Sequence, residues 1–376
     1  MWSEEPALDD PGARINIRPA LQQFAEYRPV PTPAAIAAAL GLAPEQIVKL
    51  DANENPYGPP PAVAAALAAL DPSRYPDADA TELRAALATY TGQPGERIVC
   101  GNGADEMLEL LCRLFLAPGD TVLTSEPTFG MYAVAARQHG AVAVDVPRDP
   151  ANWQVDVGAL IAAAGRGPRL IFLCAPNNPT GTPLPESDLR AILAAAPCAV
   201  VVDEAYAEFA GSNYMPLVDE YPHLVVLRTL SKVAGLAGLR VGYGVMVPTI
   251  ARALWKIKAP YNVNLAGQVA GAAALRETAW IADKIARIRA GRDQLATALG
   301  VLPGLQVYPS AANFVLLRLA GGGPAAAALA AGLRAQGILI RRYSQGPLLG
   351  CVRISVGTEV QNTTLLQEVR RLCPIW

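Results

Sequence analysis

The chain has 376 residues, 52% of them hydrophobic, and a formal net charge of −2, enough apolar material for a large core and more than one lobe. So nearly neutral a chain offers no broad positive field for nucleic acid or an anionic membrane surface, which leaves a small molecule as the default partner. The acidic start MWSEEPALDD lacks the basic and apolar segments of a signal peptide, and the apolar runs are too short to span a bilayer, so a cytoplasmic protein is expected.

Residues 1–45 are rich in proline and alanine, with one expected helix at 33–40, and read as an arm that crosses to a second lobe. From about 95 to 247, short β-rich runs alternate with alanine- and leucine-rich stretches of helical period. Strands are expected at 97–100, 121–124, 141–146, 170–174, 199–202, 224–228 and 241–246. Several are unbroken apolar runs, as strands covered on both faces of a mainly parallel sheet are. The link between the last two is too short for a crossover helix, so 241–246 is expected to run antiparallel. This pattern is α/β. Beyond 264 come a long expected helix over 267–300 and strands near 312–319 and 352–355, separated by an alanine-rich helix, which together read as a smaller α+β lobe. The expected division is an arm at 1–45, a large domain at 46–263 and a small domain at 264–376. Six cysteines without a CxxC pair and two scattered histidines suggest neither a disulfide framework nor a metal centre.

The polar residues with chemical meaning fall at the ends of expected strands, where open α/β sheets place their ligand crevice. After 97–100 comes Gly101-Asn102-Gly103-Ala104-Asp105-Glu106, a glycine-rich turn opening a helix at 107–116; its amides and the helix dipole suit a phosphate, although such a turn is often only a turn. After 170–174 comes Ala175-Pro176-Asn177-Asn178-Pro179-Thr180-Gly181, which fixes a bend and presents amide side chains. After 199–202 comes Asp203-Glu204-Ala205-Tyr206, and an acid ending an apolar strand needs a cation or hydrogen-bond donors unless it is merely a helix cap. After 224–228 comes Thr229-Leu230-Ser231-Lys232, with Arg240 further on.

Lys232 is one of five lysines among 31 basic residues. A buried lysine, unlike an arginine, can lose its proton in the working pH range and attack an aldehyde; alone, the segment would more often hold a surface lysine in a polar loop. One ligand serves the whole set. Its phosphate meets the glycine turn and Arg240, its ring nitrogen meets Asp203, its phenolic oxygen meets Asn178 and Tyr206, and its aldehyde meets Lys232. Pyridoxal 5′-phosphate carries all of these groups, and a carboxylate that keeps its pyridine nitrogen protonated deepens the electron sink.

With these residues in place, the sequence resembles the fold type I pyridoxal-phosphate-dependent transferases, and among their aminotransferases it is similar to the histidinol-phosphate aminotransferases. The resemblance runs from about 15 to 373. It rests on Asp51-Ala52-Asn53-Glu54-Asn55-Pro56-Tyr57-Gly58, Arg74-Tyr75-Pro76, GNGADE at 101–106, Glu126-Pro127-Thr128-Phe129-Gly130-Met131-Tyr132, APNNPTG at 175–181, VVDEAYAEF at 201–209, TLSKVAGLAGLRVGY at 229–243, SAANF at 310–314 and VRISVGT at 352–358.

The resemblance implies a large domain with a mainly parallel seven-stranded sheet sandwiched by helices, and a smaller α+β domain. It implies that Lys232 holds the cofactor as a Schiff base and moves the proton, that Asp203 pairs with the pyridinium, and that Asn178 and Tyr206 bind the ring oxygen. The amides of Ala104 and Asp105, with Thr229, Ser231 and Arg240, would hold the phosphate, and Phe129 would stack on the ring where many relatives have tyrosine. Tyr57 would reach the cofactor of the other subunit of a homodimer. Arg353 would grip the substrate's anionic end, with Tyr27 and Arg341 as further anion-binding residues; Asn313 is a candidate pocket amide or, equally, only ties down a turn. The motif around Tyr27 departs from the family pattern at Val30, and Arg342 beside Arg341 leaves open which arginine reaches the substrate.

The implied reaction takes histidinol phosphate and 2-oxoglutarate to imidazole-acetol phosphate and glutamate, in histidine biosynthesis. An aromatic-amino-acid aminotransferase or a threonine-phosphate decarboxylase would keep nearly every cofactor residue. A nucleotide-dependent dehydrogenase fits poorly, because Glu106 stands where its fingerprint needs a third glycine.

Overall fold

The structure, a computed structural model, describes residue 21 and residues 31–372. Its strands, in chain order, are β1 (Val48–Leu50), β2 (Ile98–Asn102), β3 (Thr121–Thr124), β4 (Val142–Asp145), β5 (Leu170–Cys174), β6 (Ala199–Asp203), β7 (Leu224–Thr229), β8 (Val241–Val245), β9 (Leu305–Tyr308), β10 (Phe314–Leu319), β11 (Ile338–Arg342) and β12 (Cys351–Ser355). They form a seven-stranded sheet in the order β2-β8-β7-β6-β5-β3-β4 and a five-stranded sheet in the order β1-β11-β12-β10-β9.

In the large sheet β8 runs antiparallel to both neighbours, as its short connection to β7 requires, and the remaining pairings are parallel. Every residue of β5, β6, β7 and β8 is buried. Helices cover both faces, so each fully buried aliphatic side chain there contributes about 1.5–3 kcal/mol. Six strands point the same way. Their carboxyl ends, together with the amino end of β8, therefore share one edge of the sheet, along which lie the glycine turn after β2, Asn178 after β5, Asp203 and Tyr206 at the end of β6, Lys232 after β7 and Arg240 before β8.

Two of the expected lobe boundaries shift. Strand β1, placed by the sequence in the large domain, pairs in parallel with β11 in the small sheet through Val48↔Ile338 and Leu50↔Ile340. The long helix expected over 267–300 is two helices, Leu265–Arg276 and Thr278–Gly300, separated at Glu277 with φ −91° and ψ 49°. The first packs on the large-lobe helices Ala62–Ala68 and Thr81–Thr91. Small residues make that packing close: a Cβ on Gly271 would stand 2.7 Å from Leu83 Cδ1. The second helix packs with Gly322–Ala335 and Glu359–Leu372 over the small sheet, around Leu295, Leu317, Leu329, Ile354 and Leu365. The helix Pro33–Leu40 is present as expected, capped by the Thr32 hydroxyl. The chain after it crosses to the small lobe, where Val48 N donates to Gly337 O. Among the described residues no helix is long and apolar enough to cross a membrane.

Candidate active site

The glycine turn and Arg240 are built against each other. Strand β2 ends at Asn102, Gly103 takes φ +88°, and the helix Ala104–Phe115 begins. A Cβ on Gly103 would stand 2.5 Å from Arg240 Nη2, and one on Gly242 would stand 2.3 Å from Ala104 N. Gly242 therefore requires glycine because the atoms it would meet are backbone, and Gly103 requires it for its left-handed conformation, since the Arg240 side chain could shift. Arg240 itself occupies the left-handed region, φ 53°, and its Nη2 donates to Asp105 Oδ2 at 2.7 Å. That pair is half-exposed and contributes little stability; what it fixes is the guanidinium's place over the helix N-terminus. Gly242 pairs with Thr229 across β7 and β8. Thr229 Oγ1 accepts from Ser231 N and lies 2.9 Å from Ser231 Oγ. The expected phosphate cradle of Ala104, Asp105, Thr229, Ser231 and Arg240 thus gathers at one point, amides and cation together, as an anion site needs.

Lys232 sits in the short helix Leu230–Val233 directly after β7, and its Nζ donates to Ala52 O at 3.1 Å. The segment bearing Ala52 is tied down beside it: Asn55 Nδ2 donates to Lys232 O and Val233 O. Three residues beyond Lys232, a Cβ on Gly235 would meet Gly58 O at 2.3 Å, so this contact too depends on glycine. Desolvation by burial, with help from the cations Arg353 and Arg240, lowers the Lys232 pKa to about 8. The amine is then neutral, and nucleophilic, in a usable fraction near neutral pH. Capture of an aldehyde at Lys232 is expected to slow about tenfold for each pH unit below about 8; a rate profile flat from pH 6 to 9, measured by stopped-flow absorbance, would contradict this.

Asp203 ends β6 and is 5% exposed. Its Oδ2 accepts from Tyr132 Oη at 2.7 Å and its Oδ1 from Ala205 N at 3.0 Å. Burial nevertheless raises its pKa to about 6. Among the described residues no cation hydrogen-bonds this carboxylate, and a buried acid in that state is matched by a ligand that brings positive charge, as a pyridinium does. Tyr206 Oη accepts from Asn53 Nδ2 at 3.0 Å, and its ring meets Phe314 edge-on at 5.2 Å. Asn178 Oδ1 accepts from Arg353 Nη1, and its Nδ2 is the donor that a phenolate oxygen would take.

Arg353 is 8% exposed. Its Nη2 donates to Asp51 O at 2.7 Å, its guanidinium lies 5.3 Å from the Phe314 ring centroid, and its Nε is buried with no hydrogen-bond partner among the described residues. Arg341 stands directly opposite Arg353 in the antiparallel β11–β12 register, whereas Arg342 stands opposite Val352. Successive strand residues point to opposite faces, so Arg341 shares the face of Arg353 and Arg342 does not. Asn313 is fully buried; its Nδ2 donates to Asn53 O, and its Oδ1 has no hydrogen-bond partner among the described residues. Phe129 lies between β3 and the helix Met131–Gln138, edge-on to Tyr132 at 5.6 Å. Tyr57 packs at the rim of the cluster holding Tyr206 and Phe314, with Lys284 Nζ 5.3 Å from its ring. Tyr27 lies outside the described residues.

Sequence reasoning passed over several functional neighbours. Asn53 and Ser355 form a buried pair that carries Tyr206: Asn53 N donates to Ser355 Oγ, Ser355 Oγ donates to Asn53 Oδ1, and Asn53 Nδ2 reaches the phenol. Tyr132 bonds Asp203, 71 residues away. The contacts of both are long-range in the chain, and no local pattern reports them.

A strand-end lysine with a lowered pKa, backbone amides and an arginine at a helix N-terminus, and a buried carboxylate on a mainly parallel sheet are the features of a pyridoxal-phosphate-dependent enzyme of fold type I. The family model for aminotransferase class I and II matches residues 45–369. A histidinol-phosphate aminotransferase of Roseiflexus castenholzii is 49% identical over 364 residues, covering 95% of this chain and 98% of that protein. A chloroplastic histidinol-phosphate aminotransferase of Arabidopsis thaliana is 44% identical over 355 residues, covering 94% of this chain and 84% of its own. The crystal structure of histidinol-phosphate aminotransferase from Sinorhizobium meliloti in complex with pyridoxal-5′-phosphate superposes with a TM-score of 0.87 at 30% identity, covering 97% of this chain and 99% of that one. The chain belongs to the class I and II aminotransferases and, within them, to the histidinol-phosphate aminotransferase family.

Proposed function

We propose that the protein moves the amino group of histidinol phosphate to 2-oxoglutarate in two half-reactions, as a step of histidine biosynthesis. The observation that carries the substrate assignment is the placement of Arg341 directly across from Arg353 on one face of the small sheet, with Arg353 also a charge neighbour of Lys232. Two planar guanidiniums can hold a phosphate in one half-reaction and a carboxylate in the other, because their forks hydrogen-bond both anions.

Pyridoxal 5′-phosphate, when bound, supplies an electron sink for the carbanion formed at the substrate carbon. Asp203 holds the positive charge at the ring nitrogen. Tyr206 and Asn178 would hold the ring oxygen with their donors, and Phe129 would cover a ring face. Lys232 Nζ, once free of the cofactor, takes the proton from the substrate carbon and returns it one position along. Its lowered pKa suits both tasks, since a base near the working pH gives up its proton as readily as it gains one.

Comparing amino transfer from histidinol phosphate, phenylalanine and threonine phosphate tests the substrate. Histidinol phosphate is expected to give the highest kcat/KM, and a clear preference for phenylalanine would remove the assignment. Arg353→Lys is expected to raise KM for histidinol phosphate about 10–100-fold, the loss of a charge-assisted bidentate contact of about 1.5–3 kcal/mol, with cofactor absorption intact; an unchanged KM would place the anion elsewhere.

A homodimer with shared sites in the cytoplasm belongs to the same proposal. It is supported by the position of Tyr57 on the segment that Asn55 ties to Lys232. Sedimentation at assay concentration is the check, and a fully active monomer would count against it.

A further inference from the structure

We infer that Tyr132 is a positioning residue for the reaction, its hydroxyl holding the Asp203 carboxylate ionised and oriented for the cofactor's ring nitrogen. This rests on the cofactor reading above.

The geometry is specific. Tyr132 is fully buried, on the first turn of the helix Met131–Gln138, and its Oη donates to Asp203 Oδ2 at 2.7 Å. Ala205 N donates to the other oxygen, Oδ1, at 3.0 Å. With one donor on each oxygen the carboxylate plane is fixed, and each oxygen retains a lone pair for a further donor. The phenol cannot compete for the charge. Burial, with Asp203 and Cys174 nearby, raises its pKa well above the ordinary 10, so it stays a donor. Hydrogen bonding to the ionised form favours that form, and here it opposes the burial that pushes Asp203 upward.

The ring of Tyr132 has a separate structural task. It stacks on Phe172, with centroids 5.1 Å apart and planes at 10°, and meets the edge of Phe129, the residue that covers the ring face. Tyr132→Phe keeps both aromatic contacts and removes only the hydroxyl, which separates the two tasks.

Without that donor Oδ2 becomes the stronger base, and the shared proton moves from the ring nitrogen onto Asp203. No proton is gained or lost by the pair, but the ring loses its positive charge and with it part of the electron sink. The experiment is nitrogen-15 NMR of the holoenzyme loaded with ¹⁵N-labelled pyridoxal phosphate, beside steady-state kinetics. In the wild type the ring nitrogen signal is expected at its protonated position. In Tyr132→Phe it is expected to move toward the neutral position, with kcat down about tenfold for each pKa unit gained by the carboxyl and KM held within about threefold. In an Asp203→Asn background, adding Tyr132→Phe is expected to change neither signal nor kcat.

A Tyr132→Phe signal at the wild-type position overturns the inference alone. So does an equal loss of kcat in the Asp203→Asn background, because the hydroxyl would then act elsewhere. Should Tyr132→Phe fail to fold, the double variant decides: folding with the properties of Asp203→Asn supports the role, and failure to fold overturns it in favour of a packing role. A wild-type protein that takes up no cofactor sinks the cofactor reading and this inference with it.

Discussion

Lys232→Ala is expected to give a folded protein that develops no visible cofactor absorption and turns over at least about 10⁴-fold more slowly, since a covalent attachment point and a general base are lost together. Among the described residues the amine makes one hydrogen bond, to Ala52 O, and it sits beside the cations Arg353 and Arg240 that lower its pKa. Removing it leaves no buried charge without a partner, so thermal stability should hold within a few degrees. Arginine cannot substitute, because it keeps its proton at every working pH. Absorbance from 300 to 500 nm after incubation with pyridoxal phosphate, with a single-turnover assay, checks this. Normal absorption in the alanine variant would mean that another amine carries the cofactor.

The large sheet was legible because its central strands are unbroken apolar runs, and the site was legible because each run ends in residues that break the apolar rule: Asp203 after β6, Lys232 after β7, the glycine turn after β2. The small sheet was half hidden. Strand β1 has three residues, too few to establish a period. Strand β11 carries the apolar Ile338-Leu339-Ile340 and then two arginines, and reads as the tail of the preceding helix. The parity that separates Arg341 from Arg342 depends on register with β12, which no local pattern encodes. The break at Glu277 was invisible because the helical period resumes at once, and the attachment of Leu265–Arg276 to the large lobe rests on buried glycine and alanine against Leu83. Tyr132 reads locally as one more buried aromatic of an amphipathic helix; its partner lies 71 residues away.

Asp203→Ala separates holding the cofactor from using it. The variant is expected to retain the visible absorption of a lysine-bound cofactor, because Lys232 and the Arg240 cradle are untouched, while turnover falls about 10²–10³-fold, the usual effect of removing one preorganised electrostatic partner from a reacting centre. Folding should survive, for two opposed reasons of similar size. The rise of the Asp203 pKa from 3.8 to about 6 means that the ionised carboxylate disfavours the folded protein at neutral pH, by about 3 kcal/mol. That contribution is absent below pH 3.8, grows between pH 3.8 and about 6 and is fully present above it, and the alanine variant is free of it. Against this gain, Tyr132 Oη loses its acceptor, at about 1–3 kcal/mol for an orphaned buried group. A variant that absorbs normally, melts near the wild-type temperature and exchanges the substrate α-proton about 10²–10³-fold more slowly places Asp203 at the electron sink. One that loses absorption as well would make it an anchor of the cofactor, and one with unchanged exchange would remove it from the chemistry.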